Sequence, residues 1–169
     1  MAGPNFKREI PKGDTHERSV CVDCDYIQYD NPKIISGVVP IWEGKVLLCI
    51  RAIAPRIGFW TVPAGFLELG EGPDEGAGRE AAEEANADVD VGDLIGVYTL
   101  REFGQVQMFY RGVLRSPEVS PGIESQRVEL FEWDDIPWGE LAFPQIEWAL
   151  RDYEKNLGRT TAVPTSRTV

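Results

Sequence analysis

The sequence predicts an α/β domain, and three observations carry that prediction. Residues 34–42 and 46–50 are apolar and rich in β-branched side chains, and Glu43-Gly44 between them marks a turn. Ala77, Ala81 and Ala85 recur at i, i+4 and i+8, which makes one apolar stripe on a helix. Two further strand-like runs, 94–101 and 105–115, follow that helix and meet at Phe103-Gly104.

Each element has its own signals. Residues 1–19 are polar and mixed in charge and read as a loose arm; residues 20–32 hold Cys21-x2-Cys24 and end at Asn31-Pro32, so the core begins at Lys33. Pro55, Gly58 and Pro63 make 53–63 a loop. Pro73 suits a first helical position, with Asp74 and Glu75 at the positive helix end. Asn86 suits a left-handed helix end. A Pro/Gly loop spans 117–125 and a short strand 128–133. An amphipathic helix spans 144–157, with Ile146, Ala149, Leu150 and Tyr153 on one side. Residues 158–169, rich in Thr and Arg, read as a disordered tail.

Composition narrows the partners. The chain has 169 residues, and 17 Lys+Arg against 28 Asp+Glu leave a net charge of −11. Such a surface repels nucleic-acid backbones, so no nucleic-acid partner is expected, whereas a small phosphate ester can bind if a divalent cation neutralises its site. Three cysteines, Cys21, Cys24 and Cys49, do not make a disulfide framework. No run is long and apolar enough for a membrane span, and residues 1–11 lack an apolar signal core. The expected compartment is the cytoplasm, with organelle import left open.

Glu80, Glu83 and Glu84 stand at i, i+3 and i+4, on one face of the first helix. Like charges at this spacing repel, and Arg79 is the one nearby positive partner on the helix. Hard divalent cations take oxygen ligands, so a carboxylate cluster fits Mg²⁺ or Mn²⁺. Gly65, Glu71, Arg79-Glu80, Ala81, Glu83-Glu84 and Ala87 reproduce the pattern G-x5-E-x7-R-E-U-x-E-E-x-G-U, where U is apolar. This resembles the box of the Nudix hydrolases, with Asn86 where the motif usually has Gly. The likeness covers about residues 16–150. It extends through Asn31-Pro32-Lys33, Gly58-x-Trp60-x-x-Pro63-Ala64-Gly65-Phe66 and Pro121-Gly122-x-Glu124-Ser125 to a branch with an N-terminal zinc ribbon, active on FAD and ADP-ribose.

The resemblance implies an α/β/α sandwich with a mixed sheet over residues 33–157, preceded by a degenerate zinc-ribbon remnant in 1–32. It implies Glu80, Glu84, Glu83 and the Ala64 carbonyl as metal ligands for Mg²⁺ or Mn²⁺. Gly65, Glu71 and Arg79 would support the site. The general base would be Glu124 in the 117–125 loop, with Glu83 as the alternative. Related sequences read Glu-Ser-Leu-Glu-Val-Arg where this chain reads Glu124-Ser125-Gln126-Arg127-Val128-Glu129, so the later acidic position holds Arg127. Arg51 and Arg56 are candidates to meet phosphate and Phe59 to stack a base, while Trp60 reads as core. Cys21 and Cys24 supply half of a zinc site, His16 is a candidate third ligand, and no fourth is visible, so bound zinc is not expected.

The expected activity is cleavage of the diphosphate bond in a nucleoside diphosphate linked to another moiety. ADP-ribose or FAD is favoured as substrate, and AMP would be released. The alternatives are a non-catalytic sensor of ADP-ribose-like ligands, or an enzyme acting on NADH, oxidised nucleoside triphosphates or capped RNA. NADH falls behind because the S-Q-P-W-P-F-P-x-S stretch of NADH pyrophosphatases is absent. The family leaves a homodimer open.

Overall fold

The structure is a computed structural model that describes residues 5–159, 161 and 163–169. The chain separates into two units, Met1–Pro32 and Lys33–Val169. In the first, β1 (Phe6–Glu9), β2 (Arg18–Cys21) and β3 (Ile27–Gln28) form an antiparallel sheet. Residues 6–9 and 18–19 are thus strand rather than loose arm. β1 is polar and exposed, so its order comes from its ladder with β2 and not from an apolar face. The Asp14 carboxylate stabilises the turn between them, accepting from Arg18 Nε at 2.9 Å and from the Thr15 N–H at 2.6 Å. Cys21 and Cys24 share a tight turn in which the Asp25 N–H donates to the Cys21 carbonyl at 3.0 Å. The His16 ring is hydrogen-bonded to Thr15 Oγ1 at 2.9 Å. Among the described residues, no group of three His, Cys, Asp or Glu side chains is placed to hold a metal ion.

The second unit is built on β4 (Lys33–Trp42). A Glu43-Gly44 turn, with both residues at positive φ, folds it antiparallel onto β5 (Lys45–Arg51). The short strands β6 (Trp60–Thr61) and β7 (Ala64–Phe66) pair with β5 and β4. Helix α1 (Pro73–Ala85) leads to β8 (Val89–Leu100), which pairs antiparallel with β9 (Gln105–Leu114). β9 runs parallel to β4, which makes the sheet mixed. β10 (Ser125–Phe131) joins β5, and helix α2 (Pro144–Lys155) follows. Last comes β11 (Thr165–Thr168), parallel to β8. The tail expected to be disordered therefore contains a strand. Its Thr165 and Arg167 side chains both bond the buried Asp152 of α2, a long-range contact that a polar sequence does not advertise.

The helices lie on opposite faces of the sheet. Adjacent strand residues point to opposite faces, so Val38, Leu47 and Tyr110 pack with Ala77, Ala81 and Ala85 of α1. Val39, Leu48 and Phe109 pack with Ile146, Ala149 and Leu150 of α2. This is the α/β/α sandwich. β8 begins at Val89, five residues ahead of the expected 94, because two register shifts let Val89 and Val91 join the α1-side core. No helix among the described residues is long and apolar enough to cross a membrane.

Candidate functional site

Local chemistry fixes the start and end of α1, and with them the carboxylates. Pro73 opens the helix, and the Glu75 carboxylate accepts the Gly72 N–H at 2.7 Å, satisfying a donor that would otherwise be orphaned there. The buried Ser36 hydroxyl of β4 donates to the Pro73 carbonyl, which ties the first turn to the sheet. At the other end Asn86 is left-handed, with φ 47° and ψ 35°.

Between those ends, the face of α1 turned to β7 carries Glu80 and Glu84, both buried. Gly65 of β7 lies against Glu80 so closely that a Cβ there would stand 2.2–2.5 Å from the carboxylate. Glycine is required by proximity at this position, not by backbone conformation. All five N–H donors of Arg79 are used: two bonds to Glu71 at 2.8 and 3.0 Å, and one each to Glu80 (2.8 Å), Glu83 (2.9 Å) and the Phe66 carbonyl (3.0 Å). One guanidinium therefore joins the loop after β7 to two helix carboxylates. Arg79 holds the Glu71 carboxyl down at about 2, helped by the Glu68 N–H.

Glu84 is in the opposite situation. Burial raises its carboxyl to about 8, and the neighbouring Glu80 and Glu124 charges add to that, against the pull of Arg51 and the Ala64 backbone. Its Oε2 is buried with no hydrogen-bond partner. Burial likewise raises Glu80, with Arg79 opposing. An orphaned carboxylate oxygen beside a second buried carboxylate is costly unless a cation neutralises the pair. The donor set is all oxygen, so the residues fit a hard divalent ion. Glu83 is largely exposed and turned to Arg79, and among the described residues no three carboxylates close into a ready-made ligand shell.

These groups open into a cavity of about 1650 Å³ whose wall includes Glu80, Glu83, Glu84, Glu124, Arg51 and Ala64. Glu124 stands on the 117–125 loop, which docks on the end of α1: the Ser120 N–H donates to the Ala85 carbonyl at 3.0 Å and the Gly122 N–H to the Glu84 carbonyl at 2.9 Å. Arg51 reaches the wall from the end of β5, its Nε bonded to the Pro55 carbonyl at 2.9 Å. Arg56 and Phe59 are not in the wall; the Arg56 guanidinium lies 5.1 Å over the Phe59 ring. Trp60 is 5% exposed and belongs to the core. Sequence reasoning missed Phe143, Gln145 and Trp148 of the α2 region and Phe109 of β9, which also line the cavity. Their helical or strand periodicity signals burial alone, and only the sheet order brings them to the site.

Comparison with known proteins identifies the fold. The NUDIX domain family model matches residues 32–154, and a model of the Nudix zinc-ribbon segment, described as Nudix N-terminal, matches residues 2–30. The crystal structure of a NUDIX hydrolase from Nitrosomonas europaea is 44% identical with a TM-score of 0.92, covering 99% of this chain and 95% of that one. A MutT-like protein of Streptomyces ambofaciens is 39% identical over 77 residues, which is 46% of this chain and 48% of that protein. An ADP-ribose pyrophosphatase of Methanocaldococcus jannaschii is 31% identical over 134 residues, 76% of each chain. The buried carboxylate pair, the arginine that braces it and these matches lead to one conclusion: the chain belongs to the Nudix family of pyrophosphohydrolases.

Proposed function

We propose that the chain hydrolyses the diphosphate bond of a nucleoside diphosphate linked to a second moiety, with ADP-ribose or FAD favoured, and releases AMP. The observation that carries this reading is the unpartnered Glu84 Oε2 beside buried Glu80, at the wall of a cavity large enough for a dinucleotide-sized ligand. The kinship with the Methanocaldococcus jannaschii ADP-ribose pyrophosphatase supports the substrate class.

Glu80, Glu84, the Ala64 carbonyl and Glu83 are the groups that would hold Mg²⁺ or Mn²⁺. When bound, such an ion neutralises the diphosphate and acidifies a water. The chain supplies the rest. Glu124 is the carboxylate outside the helix that takes the proton from the attacking water. Arg51, on the same wall, meets the diphosphate charge. The aromatic wall residues Phe143 and Trp148 receive the part of the substrate that does not react.

The test is AMP release from ADP-ribose and FAD with Mg²⁺ or Mn²⁺, followed by chromatography. Glu84→Gln is expected to lower kcat by about 10²-fold or more. Turnover by Glu84→Gln close to that of the parent chain would sink the assignment. ADP-ribose binding without turnover in the parent chain would favour the sensor reading instead.

A further inference from the structure

Asn86 occupies the next-to-last position of the box, where the motif usually has glycine. Its backbone does what glycine would do there: the residue is left-handed, its N–H donates to the Ala82 carbonyl at 3.0 Å, and the Ala87 N–H returns to Ala81 at 3.2 Å. Its side chain does something glycine cannot. Nδ2 reaches the Ser120 carbonyl at 3.0 Å, Ser120 Oγ at 3.1 Å and the Pro121 carbonyl at 3.4 Å. Those acceptors lie three and four residues before Glu124.

The segment they anchor lies directly on the carboxylate helix. Ser120 and Gly122 donate to the Ala85 and Glu84 carbonyls, and a Cβ on Gly122 would stand 1.7 Å from the Glu83 carbonyl oxygen. At the far side, the Glu124 carbonyl accepts the Ala52 N–H at 2.8 Å and Ser125 pairs with Arg51. The loop is thus held by backbone bonds to α1 and β5, by Val119 packed on the α1-side core, and by the Asn86 side chain at its approach to the helix.

We infer that Asn86 is a positioning residue, which tethers the 117–125 loop to the end of α1 and so fixes the Glu124 carboxylate over the reacting diphosphate. The inference rests on the hydrolytic reading and on Glu124 as the base. It explains why a side chain stands where glycine would satisfy the backbone.

Asn86→Gly separates the two tasks, since glycine keeps the left-handed turn and removes the tether. With ADP-ribose and Mg²⁺, Asn86→Gly is expected to lower kcat about five- to tenfold, with KM and the Mg²⁺ midpoint within about twofold. In a Glu124→Gln background the same change is expected to have no further effect, because the tether then has nothing left to position. Hydrogen exchange at the Ser120 and Gly122 amides is expected to accelerate in Asn86→Gly while the Ala77 and Ala81 amides keep their protection. Unchanged kcat, a full additional loss in the Glu124→Gln background, or unaltered exchange at Ser120 and Gly122 would each overturn the inference. If the parent chain releases no AMP, the hydrolytic reading fails. The exchange comparison then decides the tether alone, with faster exchange supporting it and equal exchange removing it.

Discussion

At the scale of the residue, Glu84 is the group whose chemistry is most altered by the fold. A carboxyl raised to about 8 holds a proton at neutral pH that the unfolded chain, near the ordinary 4.3, releases. The folded state without metal is therefore favoured by Glu84 at low pH, and that contribution is lost as pH rises from about 4 through about 8. A cation must displace the proton, so Mg²⁺ affinity is expected to rise about tenfold per pH unit up to about pH 8 and then level off. Calorimetry of Mg²⁺ binding at pH 6.5 in two buffers of different ionisation enthalpy should show close to one proton released; no release would mean that Glu84 is already ionised. Gly65 gives a second prediction at this scale. A methyl group there meets the flexible end of Glu80 and not backbone. Gly65→Ala is expected to displace that carboxylate and cut turnover by more than about tenfold while Tm moves by less than about 3 °C. Full activity with Glu80 unmoved in a crystal structure of the variant would refute this.

At the scale of the element, α1 and the 117–125 loop behave as one piece. The contact at Gly122 is to backbone, which cannot swing aside as Glu80 can. Gly122→Ala is accordingly expected to cost about 1–3 kcal/mol in stability as well as turnover. A urea titration that leaves the midpoint unchanged would show that the loop lifts from the helix without penalty. This contrast was not legible in the sequence, although much else was. The carboxylate face of α1, its proline start and its left-handed end follow from spacing and residue type on a single helix, where i, i+3, i+4 geometry needs no tertiary information. The strands β4 and β5 were equally plain, because each is buried by both helix layers and its middle reads as an apolar run. The cavity wall was not. Arg56 and Phe59 sit close to the box in sequence yet pack on each other, whereas Trp148 and Phe109 reach the cavity from α2 and β9. Polar strands such as β1 and β11 were missed because their order comes from a partner strand, which leaves no mark on their own residues.

At the scale of the whole molecule, the Asp152 cluster ties the last strand to the fold. Asp152 is fully buried and accepts from Tyr98 Oη at 2.9 Å, Lys155 Nζ at 2.8 Å, Arg167 at 2.6 Å and the Thr165 hydroxyl. Burial alone would raise its carboxyl, but the bonds from Lys155, Thr165 and Tyr98 and the charge of Arg167 outweigh it and hold the carboxyl below the ordinary value. The contribution to stability is therefore present at neutral pH and is lost as pH falls below the unfolded value near 3.9. Asp152→Asn removes the charge that Lys155 and Arg167 answer, and is expected to cost about 3 kcal/mol and roughly 6–12 °C in Tm at pH 7. Thermal melts at pH 7 and pH 3 test it: the gap between parent and variant should narrow in acid, and a constant gap would remove the charge from the account. The same cluster has a consequence for solubility. β11 covers the outer hydrogen-bonding groups of β8 from Gly96 to Thr99. Detaching it would leave a flat row of unpaired amides and carbonyls, the template on which a second chain adds a strand. The salt-bridged aspartate in the interior thus guards an exposed border of the sheet against self-association, and loosening it would show first as concentration-dependent light scattering.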